Sequence, residues 1–196
     1  VSTRFTLDAS KIEVKFSNDL NLSNDGLNCS TIFEDAITKL GSESSCIFFN
    51  STLLEIIPSI KVKAGDVLTL NSNVLRAHGP CGYFLPSQTL TVEAPQPGPT
   101  AVINATEEVG QCQSLILQSE SEGYGILTHK WEHVQDGFHQ YSIEIANLLE
   151  NNFNTTIEIP PYFILQGESL FQLTVEDIYG QESTISIIVK KNISSY

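Results

Sequence analysis

Methionine is absent from all 196 residues, including position 1. With no signal-like segment at the start, Val1 reads as a processed end or as a point inside a longer chain. Basic residues are scarce: ten Lys plus Arg face 23 Asp plus Glu, a formal net charge of −13. Such a surface repels phosphate backbones and anionic membranes, so no nucleic-acid partner is expected. No apolar run approaches the ~20 residues of a membrane-crossing helix, and no membrane span is expected in this chain. There is no Cys-x-x-Cys pair for a structural zinc. Gly-x-Ser-x-Gly, His-Glu-x-x-His and phosphate-cradling glycine loops are all missing. Glu120 and Glu122, placed in a Ser- and Gly-rich loop, read as solvated. The chain is therefore read as non-enzymatic, with no catalytic residues, no metal and no cofactor.

What the sequence does hold is acceptor sites for sugar. Asn-x-Ser/Thr occurs six times, at Asn21, Asn28, Asn50, Asn104, Asn154 and Asn192, never with Pro in the middle. Composition alone would give roughly two or three. The excess points to a secretory pathway that adds N-linked glycans, and to a secreted or cell-surface protein.

Cys29, Cys46, Cys81 and Cys112 are even in number and widely spaced, as expected of disulfides formed in an oxidising compartment. Cys29 and Cys46 flank a predicted helix and are paired locally. Cys81 lies in a loop before the last strand of the first half, whereas Cys112 opens the second strand of the second half. If the halves stand end to end, those two thiols fall at opposite poles, beyond the ~7 Å that a disulfide spans. One reading joins Cys81 of one copy to Cys112 of the next, head to tail. Its rival bends the Cys81 loop down to clamp both halves of one chain.

The plainest boundary is Ala94-Pro95-Gln96-Pro97-Gly98-Pro99, an extended connector that no central strand tolerates. It separates residues 1–94 from 100–196, each the size of one β-sandwich, with 95–99 as linker. Lys11-Ile12-Glu13-Val14-Lys15-Phe16 alternates charge and apolar side chains, the pattern of a half-buried strand. Residues 3–7 precede it across an Asp8-Ala9-Ser10 turn, forming a hairpin. Further strands are predicted at 52–57, 60–63, 67–70 and 88–93, then at 100–104, 114–119, 129–134, 155–159, 170–176 and 184–190. Ile32, Phe33, Ala36, Ile37 and Leu40 keep helical spacing and predict one helix between Ser30 and Gly41. A second short helix is predicted over 141–151.

Features gather from Pro99 onward: Pro99-Thr100-Ala101-Val102-Ile103, Gly110-Gln111-Cys112-Gln113-Ser114-Leu115, Lys130-Trp131, Asp136-Gly137, and Phe171-Gln172-Leu173-Thr174-Val175-Glu176-Asp177-Ile178-Tyr179-Gly180. This stretch resembles the receptor-for-egg-jelly module and the polycystic-kidney-disease type of Ig-like domain. In the first half Lys15-Phe16-Ser17-Asn18-Asp19, Cys29-Ser30 and Cys46 suit the leading part of the same family. The polycystic-kidney-disease signature Trp-Asp-Phe-Gly-Asp-Gly is replaced here by Trp131-Glu132-His133-Val134-Gln135-Asp136-Gly137. The evenly spaced short strands with their Gly, Pro and Asn turns argue for an all-β chain of two tandem Ig-like β-sandwich domains with one or two short helices and a Pro-rich linker, and the resemblance agrees with such sandwiches. It also implies extracellular stalk or adhesion work without a reacting centre.

Three further features have plain readings. Trp131 is expected to anchor a core. His129 and His133, four apart on a strand, stand ~13 Å apart and make a poor metal pair. Asn21-Leu22-Ser23-Asn24-Asp25-Gly26 opens like a calcium loop, but its twelfth position is Ile32 where a bidentate Glu belongs. The sequence is therefore read as a structural subunit or tandem module of a surface fibre, stalk or coat. Its expected partners are copies of itself, adjacent extracellular modules and covalent N-linked glycans, and residues 1–7 are a candidate strand for pairing with a neighbour. The alternative is a ligand-binding or adhesion segment of a large polycystin-like receptor ectodomain.

Overall fold

The computed structural model describes residues 1–22, 27–79 and 82–192. The chain forms two compact units, Val1–Gln96 and Pro97–Tyr196.

In the first unit β1 (Ser2–Phe5) and β2 (Ile12–Lys15) form the hairpin that alternation predicts, turning through Ala9 at positive φ. Helices α1 (Cys29–Ile32) and α2 (Ala36–Lys39) follow, then β3 (Ser45–Asn50), β4 (Leu53–Ile57), β5 (Val67–Leu70) and β6 (Gln88–Thr91). One sheet has the order β1-β2-β4-β3, antiparallel throughout. Opposite it, β5 pairs with β6. A third strand beside β5 comes in two short pieces. Around Leu20 it bonds to Ala77 and its neighbours, and around Phe33 it bonds to Leu70. Ile12, Val14, Leu54 and Ile56 from one sheet meet Phe33, Leu68 and Leu70 from the other, all buried. Each such side chain contributes roughly 1.5–3 kcal/mol by leaving water.

The second unit comprises β7 (Thr100–Asn104), β8 (Glu108–Val109), β9 (Leu115–Glu122), β10 (Thr128–His133), α3 (Ile143–Glu150), β11 (Thr156–Ile159), β12 (Gly167–Glu176) and β13 (Glu182–Lys191). Its sheets have the orders β11-β9-β7 and β10-β12-β13-β8, with the short β8 parallel to β13. Their inner faces bring Leu115, Leu117, Ile157 and Ile159 against Trp131, Phe171, Leu173 and Val175. Trp131 is buried and its Nε1 donates to the Asn154 carbonyl at 2.9 Å.

These connections are those of the immunoglobulin sandwich. Taken in chain order, the first unit places strands A, B, E and D in one sheet and C, F and G in the other. The second places A, B and E opposite C, F and G, with α3 where D would run. The fold is all-β with two Ig-like sandwiches.

Four expectations need correction. The single helix over 30–41 is two, because Phe33 is extended and buried, and the next residue, Glu34, donates its N–H to the Thr69 carbonyl at 2.9 Å. Sheet pairing thus overrides helical spacing, and the predicted stop survives as Gly41 at φ +91. Residues 60–63 form no strand, since the Lys63 N–H is taken by the Asp66 carboxylate in a turn. Glu120 and Glu122 lie on β9, on its outer face, because the strand runs further than its apolar part. Residues 2–5 are engaged within the chain on both sides: β1 pairs with β2, and Phe5 and Thr3 exchange bonds with Glu93.

Candidate functional site

All six sequon asparagines are exposed, three in each unit. Asn28 is the N-cap of α1: its Oδ1 accepts from the Thr31 N–H at 2.9 Å and from the Ser30 and Thr31 hydroxyls at 2.8 Å each. Asn50 ends β3, and its Oδ1 accepts from the Thr52 N–H at 2.9 Å and the Thr52 hydroxyl at 3.0 Å. At both positions the oxygen bonds the hydroxyl of the sequon's own third residue, and the bonds fall on Oδ1 rather than on the amide nitrogen that a glycan would occupy. Asn104 stands level with Gln118 and Thr156 across the outer face of β7, β9 and β11, and Thr156 closes the Asn154 sequon. The outer face of that sheet thus carries one sequon asparagine and borders another. Asn192 follows β13 and donates Nδ2 to Glu108 at 3.0 Å.

Cys29 and Cys46 form a disulfide with a Cα separation of 5.1 Å. It ties α1, in the loop that interrupts the third strand, to β3 of the opposite sheet. An antibody-type domain joins strands B and F instead. Cys112 is exposed and unpaired in the Gly110–Gln113 turn that leads into β9. Cys81 lies outside the described residues, as do positions 23–26 of the calcium-like stretch.

His129 and His133 point inward from β10 on either side of Trp131 and both are buried. His129 Nε2 meets the Ser121 hydroxyl at 2.8 Å. His133 is stacked between Tyr141 and Phe171, with ring centroids 5.1 and 4.9 Å away. Burial holds both imidazoles below the usual histidine pKa. Asp136 is different: N–H groups of His139 and Phe138, then the His139 ring, lower its carboxyl to about 2. Beside β10 and α3 runs an open cleft lined by Tyr141, Ile143, Asn147, Glu150 and the Lys130–Glu132 ion pair. Among the described residues no three His, Cys, Asp or Glu side chains converge as a metal site would require, and no helix is long and apolar enough to cross a membrane.

The chain matches no protein-family model and no curated protein sequence. Solved structures similar to it are tandem Ig proteins. The tandem Ig repeats of Dlar share 10% identity, over 98% of this chain and 96% of that one, at a TM-score of 0.33. An amphioxus IgVJ-C2 molecule shares 15%, over 91% and 87%, at 0.32. The N-terminal four Ig domains of Dscam1 isoform 8.4 share 14%, over 98% and 43%, at 0.34. With overlays this loose, the Ig-like assignment rests on the strand order within each unit.

The local disulfide between Cys29 and Cys46 was legible from their positions on either side of the predicted helix. The Oδ1 bonds of Asn28 and Asn50 are local side-chain turns of the kind Asn favours, and they depend on backbone geometry that residue spacing does not mark.

Proposed function

We propose that this chain is a non-enzymatic, N-glycosylated extracellular module that works as a structural subunit of a surface fibre, stalk or coat. The observation that carries this reading is the exposure of all six sequon asparagines on two Ig-like sandwiches. Sugar at those positions covers sheet faces and loop ends, and rigid strand pairing beneath supplies mechanical resistance. The Cys29–Cys46 bridge fits an oxidising compartment. The exposed Cys112 thiol is available for coupling to a second copy, the head-to-tail arrangement that sequence spacing raised.

Peptide-mapping mass spectrometry of the native protein, with enzymatic glycan release in heavy-oxygen water, tests the reading. We expect mass tags at most of the six asparagines. Unmodified side chains at all six would refute it.

A second reading, an adhesion segment of a larger receptor of the receptor-for-egg-jelly or polycystic-kidney-disease type, draws on one feature. Asp177 Oδ1 accepts from the Tyr179 and Gln181 N–H groups at 2.9 and 3.0 Å, fixing the Asp177-Ile178-Tyr179-Gly180 turn on which the resemblance ends. A membrane-spanning segment downstream in the reading frame would favour it.

A further inference from the structure

Strand β3 closes one side of its sheet: β4 pairs with one edge, and among the described residues no strand pairs with the other. The direction of its backbone groups follows from the ladder. The Phe16 N–H bonds the Thr52 carbonyl, so alternate residues of β4 face β2 and those between them face β3. Ser45 and Ile47 therefore spend their N–H and C=O groups on β4, while those of Cys46 and Phe48 point to the open edge. An open edge of this kind is a template for another strand, and chains commonly block it with charge or proline. Here nothing of the kind stands in the way: residues 44–54 hold no charge and no proline. Ile47 and Phe49 project from the outer face with 52% and 74% exposure. Cys46 is tied to Cys29, which fixes the edge in place before any partner arrives.

We infer that β3 pairs antiparallel with β3 of a second copy, about a two-fold axis through Ile47, making one continuous sheet across two molecules. Cys46 of each copy then exchanges backbone bonds with Phe48 of the other. The two Ile47 side chains meet directly, at the close Cβ spacing of a non-hydrogen-bonded pair. Charge favours a second copy as the occupant. The molecule carries −13, so most surfaces of two copies repel, whereas this edge brings no charged side chain opposite another. The nearest carboxylate on the sheet, Glu55, is neutralised by Lys11 at 2.7 Å. Asn50 lies past the register shift that follows Phe48, at the margin, so a glycan there projects past the paired stretch. The contact is isologous and closes on itself, unlike a head-to-tail chain. It shares with the proposed function only the use of a second copy as partner, and it does not need Cys112.

The test uses the glycosylated full chain carrying Cys112→Ser, which removes thiol coupling between copies. Sedimentation velocity at about 100 µM, the range suited to an interface below ~1,200 Å², should show dimers that dissociate on dilution. Ile47→Lys and Phe49→Lys should each give monomers with unchanged thermal midpoints. Ile47→Cys should form an interchain disulfide under mild oxidation, while Ile37→Cys, exposed on α2, should not. Monomers at the highest concentration, or dimers that persist in both lysine variants, would overturn the inference. So would dimers that form only after Asn50→Gln, since the sugar would then be a guard on the edge. Head-to-tail coupling is scored separately, on the chain that keeps Cys112.

Discussion

Asn28 combines two roles that mutation can separate. Its side chain caps α1, and its amide is the proposed sugar acceptor of a sequon. Asn28→Ala removes both, whereas Ser30→Ala destroys the sequon and leaves the bond from the Thr31 N–H in place. Chemical denaturation should therefore find Asn28→Ala less stable than Ser30→Ala by about 1 kcal/mol, the usual worth of a cap. Equal stabilities would mean that the cap contributes nothing. The sequon was legible from residue identity alone. The cap was not, because it depends on where the helix begins, and the apolar spacing that marks the helix does not mark its first residue.

Among the elements, β10 carries the pH response of the second unit. His129 and His133 are both held below the ordinary histidine value by burial. As pH falls below about 6.5, the unfolded chain takes up protons that the folded chain resists. Stability is full above that pH and declines as pH drops toward the lower folded values. Trp131 is the chain's single tryptophan, so its emission reports this unit directly. Its urea midpoint should fall between pH 7 and 5, in the wild type but much less in a His129→Gln, His133→Gln double variant. Asp136 acts in a separate window, favouring the fold above pH 3.8 and losing its effect as pH falls to about 2. In the first unit the element that matters is the α1–β3 bridge. Cys29 and Cys46 are 17 residues apart, and a loop of that length predicts about 3 kcal/mol lost in a Cys29→Ser, Cys46→Ser variant, read by circular dichroism in denaturant. Long alternating strands such as β12 and β13 were readable because Phe171, Leu173 and Val175 line one face of the first and Ile185, Ile187 and Val189 one face of the second. By contrast, β3 was missed: Cys46-Ile47-Phe48-Phe49 has no alternation, since its outer positions are apolar as well. The interrupted third strand of the first unit was equally hidden, being held by backbone bonds that leave no period in the sequence.

At the scale of the whole molecule, charge and thiols bear on the proposed contacts between copies. Ten basic against 23 acidic residues keep copies apart except where charge is absent or a covalent bond holds them. Non-reducing electrophoresis of the native material should show a ladder that collapses with reductant and is lost in Cys112→Ser. Monomer in both lanes would remove covalent coupling. The division of the chain could be read from its prolines, and the sandwich class from evenly spaced strands. Strand order could not, because strands that return to a sheet pair with partners far along the chain, as β2 does with β4, β10 with β12 and β8 with β13.

The bond between the Trp131 indole and Asn154 has an evolutionary corollary. It uses the backbone oxygen of Asn154 and nothing from its side chain. Lineages are therefore free to gain or discard the sequon there by point mutation without disturbing the interior. A residue inserted or deleted between Asn151 and Thr155 would shift that oxygen off the ring nitrogen, so the length of this loop should be held constant while its chemistry drifts.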